Sequence, residues 1–144
     1  MLADPLFQAA KCEAAHADHH DEEVIITLEH TTIVVNRWMV TDGMPGVVKS
    51  VIGPRLHIHE TYVWHVPAGD GSRRGELTAS VGATPLRLHA KIALAPVGSD
   101  THMAVDGELR AHMFMGGQVE RLAAPWIMKG MDKEEETAAA WLTG

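Results

Sequence analysis

The chain has 144 residues, is 46% hydrophobic and carries a formal charge of −7. That length suits one domain with a real core, and the acidic balance excludes a nucleic-acid partner, which needs a basic footprint. No apolar run approaches the roughly 20 residues of a membrane span, and Cys12, the only cysteine, rules out an internal disulfide and points to a cytoplasmic setting.

Asp4-Pro5 has the form of a helix start, with Asp as cap and Pro at the first helical position. The helix is expected to run to about Ala15, with Phe7, Ala10 and Ala14 on one stripe and Cys12 as a small buried hydrophobe. His16 to Asp21 reads as a polar connection. Val24 to Leu28 is a β-branched strand, turned near Glu29-His30, with Thr32 to Val40 as its antiparallel partner. Thr41-Asp42-Gly43-Met44-Pro45 opens a short helix, where Val47, Val48, Val51 and Ile52 share a face and Gly53-Pro54 forms the stop.

Arg55 to Val66 is a strong strand whose more apolar face holds Leu56, Ile58, Glu60, Tyr62 and Trp64; His57, His59 and His65 take the other. Gly75 to Val81 returns. Leu86 to Pro96 alternates strictly, and Thr101 to Phe114 follows with Met103, Val105, Gly107, Leu109, Ala111 and Met113 as the inner set. After Gly116-Gly117, read as a hinge needing positive φ, the period changes to 3.6. A helix to Leu142 places Val119, Leu122, Ala123, Trp126, Ile127, Met131, Ala138, Trp141 and Leu142 on one stripe. Such a helix spans roughly 39 Å and six strands roughly 25–30 Å, so it can cross the whole sheet. Pro125 should kink it. The expected fold is α+β: a curled antiparallel sheet of about six strands gripping one long C-terminal helix, in a single domain over residues 1–144.

Several blocks resemble a bacterial family catalogued as domain of unknown function 2505. They are Gly116-Gly117-Gln118-Val119-Glu120-Arg121-Leu122 with Glu134-Glu135 and Trp141-Leu142, then Thr41-Asp42-Gly43-Met44-Pro45, then Glu60-Thr61 with Trp64. The opening Met1-Leu2-Ala3-Asp4-Pro5 with Phe7 and Lys11-Cys12 completes the set. The resemblance implies membership of the START-like, birch-pollen-allergen-like (SRPBCC) helix-grip superfamily, with a cavity for an apolar molecule between sheet and helix. It also implies a first strand ahead of Met1, whose absence would leave Thr101 to Phe114 as a free edge open to self-association and would fit a start codon placed too far downstream.

Ten histidines raise the question of a metal, but His16, His19 and His20 lie in one polar segment and His57, His59 and His65 on one strand face, and neither spacing forces four ligands to converge. No metal and no cofactor are expected. Glu60, on an inward face, is the candidate acid–base group or anchor for a polar ligand group; the competing reading is a carboxylate paired with an arginine. Trp38, Tyr62, Trp64, Met103, Met113 and Trp126, with Glu60, are the candidate ligand contacts, and each of them also reads as core. The function expected is non-catalytic binding of a small hydrophobic, lipid- or polyketide-like molecule. The alternatives are a polyketide cyclase or dehydratase using Glu60, and a groove that receives a segment of a protein partner.

Overall fold

The computed structural model describes all residues, 1–144. Helix α1 (Pro5–Ala14) is followed by strands β1 (His19–Ile26) and β2 (His30–Val40), helix α2 (Gly46–Ile52), strands β3 (Arg55–His65), β4 (Arg73–Val81), β5 (Leu86–Val97) and β6 (Asp100–Ala111), and helix α3 (Gly116–Thr143). The six strands form one antiparallel sheet in sequence order, β1-β2-β3-β4-β5-β6. This is the α+β, helix-grip-like arrangement that the sequence patterning predicts. Each strand simply meanders to the next, so β1 and β6 are both edges, and β6 bonds only to β5. No helix is long and apolar enough to cross a membrane.

The start of α1 follows the sequence. The Asp4 side chain accepts a hydrogen bond from the Leu6 amide at 2.9 Å, and Pro5 sits at the first helical position. Its buried face differs from the expected alanine stripe. Phe7, Gln8, Lys11 and Cys12 are the buried residues, because α1 lies against the concave side of the sheet and not on the surface of the domain. The supposed polar connection before β1 is also partly strand: β1 begins at His19, and His20, Glu22 and Val24 alternate inward.

The main core forms where α1 meets the sheet. Cys12 packs with Ile33, Val35, Tyr62, Trp64, Leu77, Ala90 and Ile92, and Val24, Leu88, Leu94 and Met103 close around them. A second cluster lies at the other end of the sheet, where Leu86, Ala111 and Val119 are joined by Val47, Val51, Ile52 and Val81. There α2 and the first turn of α3 seal the corner. The central positions of the inner face, Met39, Ile58, Ala79, Leu88 and Leu109, are only half-buried.

Helix α3 is supported at its two ends. Its first turns rest on β6 and α2, and its last third rests on α1, while β2 to β5 are not among its main packing partners. Trp141 meets Phe7 edge-on with ring centroids 5.6 Å apart, and Lys11 Nζ lies 2.6 Å from the Glu134 carboxylate. The expected burial of the whole stripe therefore does not hold: Trp126 is 37% and Trp141 38% exposed, and only Gly116 and Val119 are buried. The helix continues through Pro125 without a break.

The hinge before α3 also differs from the expectation. The left-handed residue is Met115, at φ 60°, while Gly116 and Gly117 are not in that region. Gly116 is needed for closeness instead, since a Cβ there would run into the Ala111 carbonyl oxygen; a Cβ on Gly117 would meet nothing within 4 Å.

Two pairs of substitutions check this packing by denaturant melts. Gly116→Ala should destabilise by about 1–3 kcal/mol through overpacking, whereas Gly117→Ala should be neutral or stabilising by up to about 1 kcal/mol from helix propensity. Phe7→Ala, at a fully buried ring, should cost about 3–5 kcal/mol, and Trp141→Ala should cost clearly less.

Candidate functional site

Strand register assembles a continuous row across the concave face. Glu22 pairs with Val35, Val35 with Glu60, Glu60 with Ala79, Ala79 with Leu88, and Leu88 with Leu109. The row is polar near β1 and β3 and apolar from β4 to β6. The neighbouring row starts with His20 opposite Arg37 and continues through Ile58 and Val81. Above these rows runs the unsupported middle of α3, where Leu122, Ala123, Ile127 and Met131 are half-buried. The inner face there has an apolar stretch and one charged end.

The charged end is richer than the sequence suggests. Arg37 donates from Nη2 to Glu60 Oε1 at 2.6 Å. Glu60 is thus a paired carboxylate, which is the competing reading of that residue. Lys11, reaching down from α1, places its ammonium 4.9 Å from the centre of the Tyr62 ring and 2.6 Å from Glu134. His20 and Glu22 hydrogen-bond to each other beside Cys12. Few polar groups are expected inward from the sequence, yet Lys11, Cys12, His20, Glu22, Arg37, Glu60, Tyr62 and Glu134 gather here. The signal was present in β1 as period-2 alternation of His20, Glu22 and Val24, masked by the polarity of the run.

Burial and charge shape this cluster together. Burial pushes the Cys12 thiol up to about 12, with Arg37 opposing the shift. Burial raises Tyr62 well above the ordinary phenol value, and the nearby Glu60 carboxylate adds to it. Burial, the largest influence, works against the charge of Arg37, but Glu60 together with Tyr62, Cys12 and Glu134 outweighs it and holds the guanidinium above its usual range. The Arg37 Nε remains buried without a hydrogen-bond partner, as does Gln8 Oε1, although the other Gln8 atom, Nε2, donates to the Leu2 carbonyl at 2.6 Å.

The candidate contacts named from sequence fall in three places. Glu60, Tyr62, Trp64 and Met103 face the concave side, with Tyr62 and Trp64 built into the main core and Met103 packed beside it. Met113 and Trp126 lie at the far end, where Met113 follows β6 and Trp126 approaches Gly43. Trp38 is on the opposite face of the sheet. There it stacks on His57 at 4.5 Å between ring centroids and lies 4.9 Å from His19, because Arg37 takes the inward position of that strand. His57 and His59 share the same outer face through hydrogen bonds with Asn36 Oδ1 at 3.2 and 2.8 Å. A hollow of about 510 Å³, open to solvent, lies between α2 and the β4–β5 turn, beside Val51, Arg55, His57 and Thr84. It is separate from the charged cluster.

Two measurements test the electrostatics. Tyr62 is the only tyrosine, so ultraviolet titration reports it alone. A phenol raised by burial favours folding below pH ~10 and loses that contribution as pH rises, at up to about 1.4 kcal/mol per unit. Tyrosinate absorbance should therefore stay absent from the folded protein at pH ~11 and appear only as it unfolds. Glu60→Gln, which leaves Arg37 without its charge partner, should cost roughly 3 kcal/mol, while Arg37→Met combined with Glu60→Leu should recover most of it.

No curated protein and no solved structure matches the chain. A family model described as "Protein of unknown function (DUF2505)" matches residues 1–142. The match spans nearly the whole chain and takes in α1, α2, all six strands and all but the last residue of α3, so the protein belongs to the DUF2505 family.

Proposed function

We propose that this chain is a START-like (SRPBCC) helix-grip protein that binds a small apolar, lipid- or polyketide-like molecule in the groove between the sheet and α3. The carrying observation is the cross-strand row that runs from Glu60 through Ala79 and Leu88 to Leu109. An apolar body would lie along Ala79, Leu88 and Leu109, beneath Leu122, Ile127 and Met131. A polar end would face Arg37 and Glu60, where the unpartnered Arg37 Nε is a donor that a ligand oxygen could satisfy. Trp126 and Met113, both more than a third exposed, would stand at the far mouth. The sheet-plus-helix layout supports the superfamily assignment.

A second reading, acid–base chemistry of the cyclase or dehydratase type, is favoured by the number of titratable groups at the polar end. It requires Glu60 to exchange Arg37 for substrate, so the ion pair as it stands weighs toward binding.

Native mass spectrometry of freshly purified protein should show a co-purifying species of a few hundred daltons, and an apolar fluorescent probe should be taken up. Ala79→Trp, which fills the floor of the groove, should abolish uptake without loss of fold by circular dichroism. A clean unliganded mass with no probe uptake, or uptake unchanged by Ala79→Trp, would overturn the proposal.

A further inference from the structure

Beside the groove's polar end, one group of side chains has a composition that neither burial nor ligand binding requires. Cys12 comes from the C-terminal half of α1, and His20 and Glu22 stand two residues apart on β1, both facing inward. The thiol, an imidazole nitrogen and a carboxylate oxygen all lie within 4.8 Å of one another. Cys12 is buried and the other two are half-buried. We propose that Cys12, His20 and Glu22 form a binding site for a single divalent transition-metal ion, zinc in the first instance.

The donor set is one sulfur, one nitrogen and one oxygen. A thiolate disfavours calcium and magnesium, which take oxygen ligands, and the mixture suits a borderline ion such as zinc. Around a tetrahedral zinc ion, with bonds of about 2.0–2.3 Å, ligand atoms stand roughly 3.3–3.6 Å apart. The widest present separation exceeds that by no more than about 1.5 Å, while His20 and Glu22 stand within hydrogen-bond reach; side-chain torsions can adjust both if the Glu22 carboxylate leaves its hydrogen bond with His20 for the metal.

Charge balances as well. Binding removes the proton from the Cys12 thiol, and the ion's two positive charges are then matched by the thiolate and the Glu22 carboxylate, with His20 neutral. The centre as a whole is uncharged, which suits its partial burial. Arg37 is the nearby cation, and it is already paired with Glu60 at 2.6 Å. Three protein ligands leave a fourth position for an outside ligand, the pattern of zinc sites that are open and not purely structural. Cys12 and His20 meet only when α1 docks on β1, so no local pattern assembles this site.

The site is independent of the groove's occupant, and the test reads metal binding directly. The full chain, stripped with chelator and kept reduced, is titrated with cobalt(II) as a spectroscopic substitute for zinc. The expected result is a thiolate-to-cobalt charge-transfer band with intense tetrahedral visible bands, saturating at one equivalent and displaced by zinc. Cys12→Ser should remove the charge-transfer band. His20→Gln and Glu22→Gln should each weaken zinc binding by more than the roughly 10–100-fold typical of losing an outer partner, with the circular dichroism spectrum unchanged. His57→Gln, on the outer face, should leave all of this intact. Absence of the charge-transfer band in the parent protein would overturn the site. So would unchanged affinity in both His20→Gln and Glu22→Gln, a result that stands even if Cys12→Ser does not fold.

Discussion

A six-stranded curled sheet has a concave face too wide for one helix to cover, and the rest of this fold follows from that constraint. Helix α1 fills the half over β1 to β4, burying Cys12 against Tyr62, Trp64 and their neighbours, and Phe7 where it meets Trp141 of α3. Helix α2 and the start of α3 fill the opposite corner around Val119. Helix α3 then bridges the two fillings like a beam on two supports. The half-buried residues beneath its middle, from Ile58 to Leu109, are what remains when a flat area is covered from its edges.

The same constraint explains why charges accumulate at one end. Where α1 ends, the inner face is neither open to water nor packed by apolar side chains. Arg37 and Glu60 neutralise each other on the sheet, and Lys11 and Glu134 do so between the two helices. Each pair leaves no lone charge in a region of reduced solvent. Buried pairs of this kind contribute less to stability than to selecting one arrangement, since replacing one member alone is far costlier than replacing both.

Much of the fold could be read from sequence where one face of an element is apolar and the other wet. The inner set of β3 came out correctly, and that of β6 as far as Ala111, with Met113 lying beyond the strand's end, as did Asp4 as a cap and the order of strands and helices. What escaped had a common cause: polar residues buried by tertiary contact. Gln8 and Lys11 on α1, and His20 and Glu22 on β1, carry no apolar signature, so the inward faces holding them looked like solvated ones. Trp38 failed in reverse, as a large ring assigned to the interior that stacks with histidines on the outer face. Met115 could not be foreseen either, since two following glycines offered a less strained place for the turn. The candidate site was legible as to Glu60 and its arginine partner, but the assembly around it depends on α1 docking, which no local pattern encodes.

The way the far end of α3 is held has a kinetic consequence. From Glu134 onward that end is fastened to α1 by one ion pair and one edge-on ring contact, while α1 itself is locked into the core. These two fastenings release together, so the terminal turns form a small cooperative unit whose opening free energy lies well below that of the sheet. Fraying of this unit widens the space under the beam without disturbing β1 to β6. The lifetime of the molecule proposed to bind there would then be governed by how often that helix end lets go, and Phe7, whose ring meets Trp141, would set that clock.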